Sequence, residues 1–182
     1  MKATGIVRRI DDLGRIVVPK EIRRTLRIRE GDPLEIFTNR EGEIVLKKYS
    51  PVGELGEFAA CYAQSLAQVV EALVCITDRD YVIAAAGSGR KEVEGEHLSS
   101  EVEALIERRG TFVVSDVDQE LPIVTKNWKS DYKGSVVSSI ICNGDCQGAV
   151  IMLEKTGQSD KLDVLKILAM SAANFLGKNM EQ

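Results

Sequence analysis

The chain has 182 residues, enough for one ordinary domain or two small ones with a genuine core. It is 44% apolar, 29% charged and only 5% aromatic, with a formal net charge of −4, which is the composition of a globular protein. No apolar run approaches the ~20 residues of a membrane helix. Arg8, Arg9, Asp11 and Asp12 also break the N-terminus before a secretory h-region can form, so the expected location is cytoplasmic. The cysteines, Cys61, Cys75, Cys142 and Cys146, lack the dense spacing of a disulfide scaffold and are expected to be reduced.

The net charge hides a split. Residues 1–50 carry twelve Lys and Arg against eight Asp and Glu, a net +4, while the remainder carries twelve against twenty, a net −8. Such asymmetry suggests a nucleic-acid-binding end joined to a second unit, although an unevenly charged solvated surface would give the same numbers. The stretch "KKYSPVGELGEF" places Ser50, Pro51 and Gly53 between an alternating and a helical pattern, so 51–54 is expected to be a linker.

"TGIVRRI" and "RIVVP" are rich in branched residues and flank the turn-like "DDLG", which predicts two short β segments. Pro19 ends pairing and "KEIRRTLRI" follows as a short helix, with Ile22 and Leu26 on one face and Arg23 and Arg24 off it. "REGDP" is a loop, and "LEIFTNREGEIVLKKY" is a hairpin with arms Leu34–Thr38 and Glu43–Tyr49. A unit of about fifty residues, without disulfide or metal ligands, buries too little surface to stand alone, so oligomerisation is the remaining stabiliser. One short helix argues against a helix-turn-helix reader and leaves recognition by strands and loops.

The run from Thr4 to Phe37 closely resembles the AbrB-like swapped-hairpin DNA-binding domain, with the core LGR-[IV]-V-[IV]-P-x-E-[IL]-R-R-x-L complete at Leu13–Leu26. The resemblance implies two chains interleaved into one dimeric β-structure that binds double-stranded DNA. It puts the family's DNA-contacting arginines at Arg8, Arg15, Arg23 and Arg24, and Arg9 is a plausible addition. Guanidinium groups neutralise phosphates or fork onto guanine O6 and N7, and two-fold symmetry doubles each contact. Neither Arg15 nor Arg23 needs burial for the fold. The same family fold serves antitoxins, whose acidic tail engages a toxin; here the C-terminal portion is patterned as a folded domain, which weighs against that alternative.

Beyond the linker, 54–73 is a predicted helix with Leu55, Phe58, Ala59, Tyr62, Leu66, Val69 and Leu73 at helical spacing. "VCIT" and "YVIAAAG" are strands around Asp-Arg-Asp, and "HLSSEVEALIERRG" is a helix with Ser100 and Glu103 in capping-box spacing and Gly110 as its stop. "TFVVSD" is a strand and "LPIVTKNWKSDYKG" an irregular polar loop. "SVVSSIICNGDCQGAVIMLEK" is a hairpin turned by Asn143-Gly144-Asp145. A long closing helix begins near Ser159, with an apolar stripe (Leu162, Val164, Leu165, Ile167, Leu168 and Phe175 among it) wider than one sheet contact requires.

This element order is an α+β sandwich and, with the "NGDCQGAVIML" hairpin, is similar to a GAF domain over residues 55–182. An AbrB-like head on a GAF-like body is similar to a family of transcriptional regulators of endospore formation. In GAF-like folds the first and last helices lie side by side, so their surplus apolar face implies a second dimer contact and a tetramer. No Asn-Lys-x-Phe-Asp-Glu motif of cyclic-nucleotide GAF domains is present, and no Cys adjoins His97 for bilin attachment; any small-molecule effector stays unnamed.

Cys142 and Cys146 straddle the hairpin turn, where a redox pair or half a zinc site competes with plain packing, and packing is the expectation. His97 is expected to approach a helix N-terminus. Trp128 with Lys126, Lys129 and Lys133 could close an anionic pocket, but a solvated loop is the commoner outcome of such a stretch. No catalytic constellation, metal site or cofactor motif emerges.

Overall fold

The computed structural model describes residues 5–115, 121, 122, 124–126, 128 and 131–181. They form two compact units, Met1–Tyr49 and Ser50–Gln182.

In the first unit Pro19 precedes helix α1 (Lys20–Thr25), which ends two residues before Arg27 turns left-handed at φ 52°. The helix is shorter than the sequence pattern, because Ile28 N–H bonds back to the Arg23 carbonyl and closes the turn. Strands β1 (Leu34–Thr38) and β2 (Ile44–Lys48) pair antiparallel from Leu34↔Lys48 to Thr38↔Ile44. Asn39 Oδ1 accepts from the Glu41 and Glu43 N–H groups and shapes their loop, with Gly42 at φ 80°. Lys48 Nζ meets Asp32, whose side chain is 2% exposed, at 2.9 Å and also donates to the Arg27 carbonyl; this ties the loop after α1 to β2.

Segments 5–10 and 15–19 differ from the reading as strands. They carry no ladder, and beyond the turn-closing bond from Asp11 N–H to the Arg15 carbonyl they remain unpaired with each other. Val7 is 89% and Val17 73% exposed, and Ile6, Ile10, Leu13 and Ile16 are exposed too. A strand exists only against a neighbour, and one chain supplies none here.

The second unit opens with α2 (Pro51–Glu54), capped by Ser50 Oγ on Gly53 N–H and anchored by fully buried Val52; the expected linker is thus helical. Helix α3 (Gly56–Val70) leads to β3 (Leu73–Thr77) and β4 (Val82–Ala86), joined where Asp78 Oδ1 accepts from the Asp80 and Tyr81 N–H groups. Helix α4 (Arg90–Val93) was not legible in the sequence. Helix α5 (Ser100–Glu107) is capped by Ser99, not Ser100, since Ser99 Oγ faces Val102 N–H at 3.2 Å. Arg109, at φ 52°, takes the left-handed position one residue before Gly110.

Strands β5 (Thr111–Ser115), β6 (Gly134–Cys142) and β7 (Asp145–Glu154) complete an antiparallel sheet in the order β4-β3-β7-β6-β5, and α6 (Ser159–Asn179) closes the chain. Strand alternation divides the sheet's side chains. Val74, Ile76, Ala84, Val136, Val150 and Met152 pack under α3 and α6. Leu73, Cys75, Val82, Val137, Ile151 and Leu153 pack under Val93, Val102, Ile106, Trp128 and Tyr132. Helix α6 approaches β6 so closely that a Cβ at Gly177 would collide with the Ile141 carbonyl.

Glu154 is fully buried at the end of β7. It accepts from Thr156 N–H and Oγ1, both at 2.7 Å, and from Gly157 N–H, with Lys161 Nζ at 3.8 Å. Burial raises its pKa, but the Thr156 and Gly157 donors and Lys161 outweigh burial and hold the carboxyl below its ordinary value. Glu154→Gln should cost about 1–3 kcal/mol at neutral pH. A lowered folded-state pKa contributes stability above the ordinary carboxylate value and loses it as pH falls through the folded one. The melting temperatures of parent and variant should therefore converge as pH falls below the ordinary carboxylate value. A gap that stays constant on acidification would contradict this role.

Candidate nucleic-acid interface

The basic residues of the first unit sit on its least covered segments. Arg8 and Arg9 lie exposed on 5–10, Arg15 is exposed just after the turn, and Arg24 is exposed on α1. Arg23 departs from the expectation, being half-buried with its Nε enclosed and without an acceptor among the described residues. The structure thus brings Arg23 and Arg24 onto one short helix and Arg8, Arg9 and Arg15 onto the arms of one turn.

Sequence reasoning missed Asp11 as a site residue. Its Oδ2 accepts from Arg15 Nε at 2.8 Å, and its Oδ1 accepts from the N–H groups of Leu13 at 3.0 Å and Arg15 at 2.8 Å. The backbone and side-chain hydrogen bonds from Arg15 lower the Asp11 pKa. The available signal was an Asp opening a turn with an Arg four positions on.

On the second unit, Phe58, Tyr62 and Phe175 form a ring cluster between α3 and α6, with centroids 5.5–6.0 Å apart. Val69 (79%), Ile167 (67%), Val164 and Met170 extend that exposed apolar face, so the surplus read from the sequence stays uncovered in one chain. The opposite face of the sheet is closed. Trp128 is buried and its Nε1 donates to Glu92 Oε2 at 2.8 Å, while Tyr132 Oη donates to the Ser88 carbonyl at 2.7 Å. The indole therefore faces a carboxylate and is neither the wall of an anionic pocket nor part of a solvated loop, because its apolar ring has a core to enter. Lys126 and Lys133 are exposed, and Lys129 lies outside the described residues.

Cys142 is paired opposite Asp145, and Cys146 opposite Ile141. Neighbouring positions along a strand point to opposite faces, which sends the two thiols apart. Cys146 Sγ bonds the Ile106 carbonyl, and Cys142 lies beside Asn143 on the side of Glu181. Burial raises the pKa of both, and pushes Cys75 up to about 12. His97 is exposed, its ring tilted 31° against Tyr81 with centroids 4.1 Å apart, two residues before the Ser99 cap. No group of three or more potential metal ligands occurs among the described residues. Among the described residues, no helix is long and apolar enough to cross a membrane.

A family model described as Stage V sporulation protein T C-terminal, transcription factor, matches residues 54–181. The chain belongs to this family. Stage V sporulation protein T of Bacillus subtilis (strain 168) is 47% identical over 182 residues, which is 100% of each chain. A second model, described as antidote-toxin recognition MazE, bacterial antitoxin, matches residues 7–54. The transition state regulatory protein AbrB of Bacillus subtilis (strain 168) is 61% identical over 51 residues, 28% of this chain and 52% of AbrB. The solution structure of the N-terminal DNA recognition domain of AbrB is 59% identical and covers 28% of this chain and 94% of that one, with a TM-score of 0.25; sequence carries that likeness. Free methionine-R-sulfoxide reductase of Neisseria meningitidis is 19% identical and covers 71% of this chain and 79% of that one at a TM-score of 0.54, a likeness of fold alone. The stage V sporulation protein T family is one of transcription factors, and its architecture here is an AbrB-like head followed by an α+β body.

Opposed thiols should not cross-link within the hairpin. After mild oxidation of the folded chain, peptide mapping should find no Cys142–Cys146 disulfide, and Cys142→Ser with Cys146→Ser should leave the oxidation response of DNA binding unchanged. A recovered bridge would return the redox reading.

Proposed function

We propose that this transcription factor binds duplex DNA sequence-specifically through a swapped dimer of its first unit, with Arg8, Arg9, Arg15, Arg23 and Arg24 as the contacts. One observation carries the reading: the segments that bear Arg8, Arg9 and Arg15 leave Val7, Ile10, Ile16 and Val17 exposed in a single chain. Burying those residues requires a second copy, whose strands supply the missing ladder and whose arginines repeat the basic surface by symmetry. The enclosed Arg23 Nε gains an acceptor in the same way. The 61% identity to AbrB over 51 residues, and the printed description of that region of AbrB as a DNA recognition domain, support the assignment.

The second unit modulates that binding. The exposed ring cluster on α3 and α6 fits a helical contact between two such units, which links two DNA-reading heads into a tetramer. The closed side under Trp128 and Tyr132 is where an effector would enter by displacing α4 or these two side chains. Cytoplasm, and within it the developing spore compartment, is the setting that the family's printed name supports. The MazE model over residues 7–54 favours a second reading, neutralisation of a polypeptide toxin. Against it stands the folded second unit that follows; a toxin that co-purifies with the chain, with no salt-sensitive affinity for duplex DNA, would favour it.

Arg24→Ala should lower affinity for duplex DNA and flatten the log–log salt slope by about two units, one phosphate contact per protomer. Unchanged affinity and slope would remove this arginine from the interface.

Ile167→Asp with Phe175→Asp in the full chain should halve the tetramer mass seen by light scattering. Affinity for a long duplex should fall about 10²–10⁴-fold, because the second contact ceases to be intramolecular. A duplex too short for two heads should bind parent and variant alike. A parent that is dimeric at every concentration would refute the tetramer.

A further inference from the structure

Arg15 keeps 68% of its side chain exposed, yet its Nε is engaged by Asp11 Oδ2 at 2.8 Å. The other oxygen of that carboxylate holds the Leu13 and Arg15 N–H groups. The main chain closes the same loop, with Asp11 N–H on the Arg15 carbonyl and Gly14 N–H on the Asp11 carbonyl, both at 3.0 Å. Gly14 supplies the left-handed φ of 75° that this closure needs. One carboxylate therefore sets both the loop backbone and the direction of the guanidinium.

Stability does not explain the pair, since so exposed an ion pair contributes little and restricts a long side chain. Phosphate attraction does not explain it either, because a negative charge beside the arginine opposes approach to a polyanion. Orientation does. A guanidinium clamped through Nε still offers both terminal amino groups, and these are the two that fork onto guanine O6 and N7. The Asp11 pKa, lowered first by the Arg15 backbone hydrogen bond and then by the Arg15 side chain, keeps the carboxylate charged at neutral pH.

We propose that Asp11 is a positioning residue that holds the Arg15 guanidinium in the fork geometry of a base contact, lowering affinity for DNA at large and raising discrimination between sequences. This rests on the reading of Arg15 as a DNA contact.

The test uses the full chain and two probes of equal length: duplexes enriched by the parent from a random library, and an unselected random duplex. Asp11→Asn retains Oδ1 for the two backbone N–H groups but removes the charge that orients Arg15. Its affinity for the random duplex should rise several-fold, as two negative charges leave each dimer. Its selected-to-random ratio should fall about tenfold, the scale of one bidentate base contact. Asp11→Glu, which keeps the charge on a longer arm, should lose the ratio without gaining random affinity. In an Arg15→Ala background Asp11→Asn should leave the ratio where Arg15→Ala put it. A preserved ratio in Asp11→Asn, beside a lowered one in Arg15→Ala, overturns the positioning role and leaves the DNA reading intact. Equal loss on both probes reduces Asp11 to a loop brace and overturns it as well. A parent that enriches no duplex, or an Arg15→Ala chain that binds as the parent does, overturns both readings.

Discussion

A sheet with apolar side chains on both faces has to be covered twice, and that requirement organises the second unit. β3, β6 and most of β7 are buried; β3 and Ala149–Leu153 of β7 are continuous apolar runs, while β6 buries Ser135, Ser138 and Ser139 among its apolar residues. α3 and α6 cover one face. α5 with the shorter α4, Trp128 and Tyr132 covers the other. Close cover demands small residues at the crossings, which is why Gly177 lies against β6 and alanines line α3 where it meets the sheet. Glu154 holds the turn through which the chain leaves the sheet for its last helix.

The first unit shows what happens when cover is lacking. Its hairpin, one-and-a-half-turn helix and Asp32–Lys48 pair give local order, but 5–10 and 15–19 have no sheet to join within one chain. Apolar residues left in water there cost free energy that a second copy would recover, and the arginines interleaved with them would enter the same assembly. On the function proposed above, DNA recognition and oligomerisation share one stretch of about fifteen residues. Within that stretch Asp11 links the loop backbone to the side chain that follows it.

Much of this was legible in advance. The β1–β2 hairpin was bounded at Leu34 and Thr38 by its alternation, and Asn143-Gly144 marked the β6–β7 turn because both positions need positive φ. α3 and α6 followed from their spacing. What escaped was short or cooperative. Four-residue α4 has too few positions to show a period. Ser99 and Ser100 are equivalent as letters, and the cap went to Ser99, whose own N–H is fixed by the Val124 carbonyl. Trp128 looked like part of a polar loop because its partner Glu92 sits on α4, 36 residues earlier in the chain.

By itself the sequence determined the charge split, the arginine-rich motif and the types of the longer helices and of the strands from Leu34 onward, since these depend on local spacing and side-chain chemistry. Only the tertiary structure decided which faces are covered and which are left open, that Cys142 and Cys146 turn away from each other, that Arg23 is half-enclosed, and that Asp11 holds Arg15. Those outcomes depend on which distant segments meet in space, and a side chain's burial or partner is a property of the meeting, not of its neighbours in the chain.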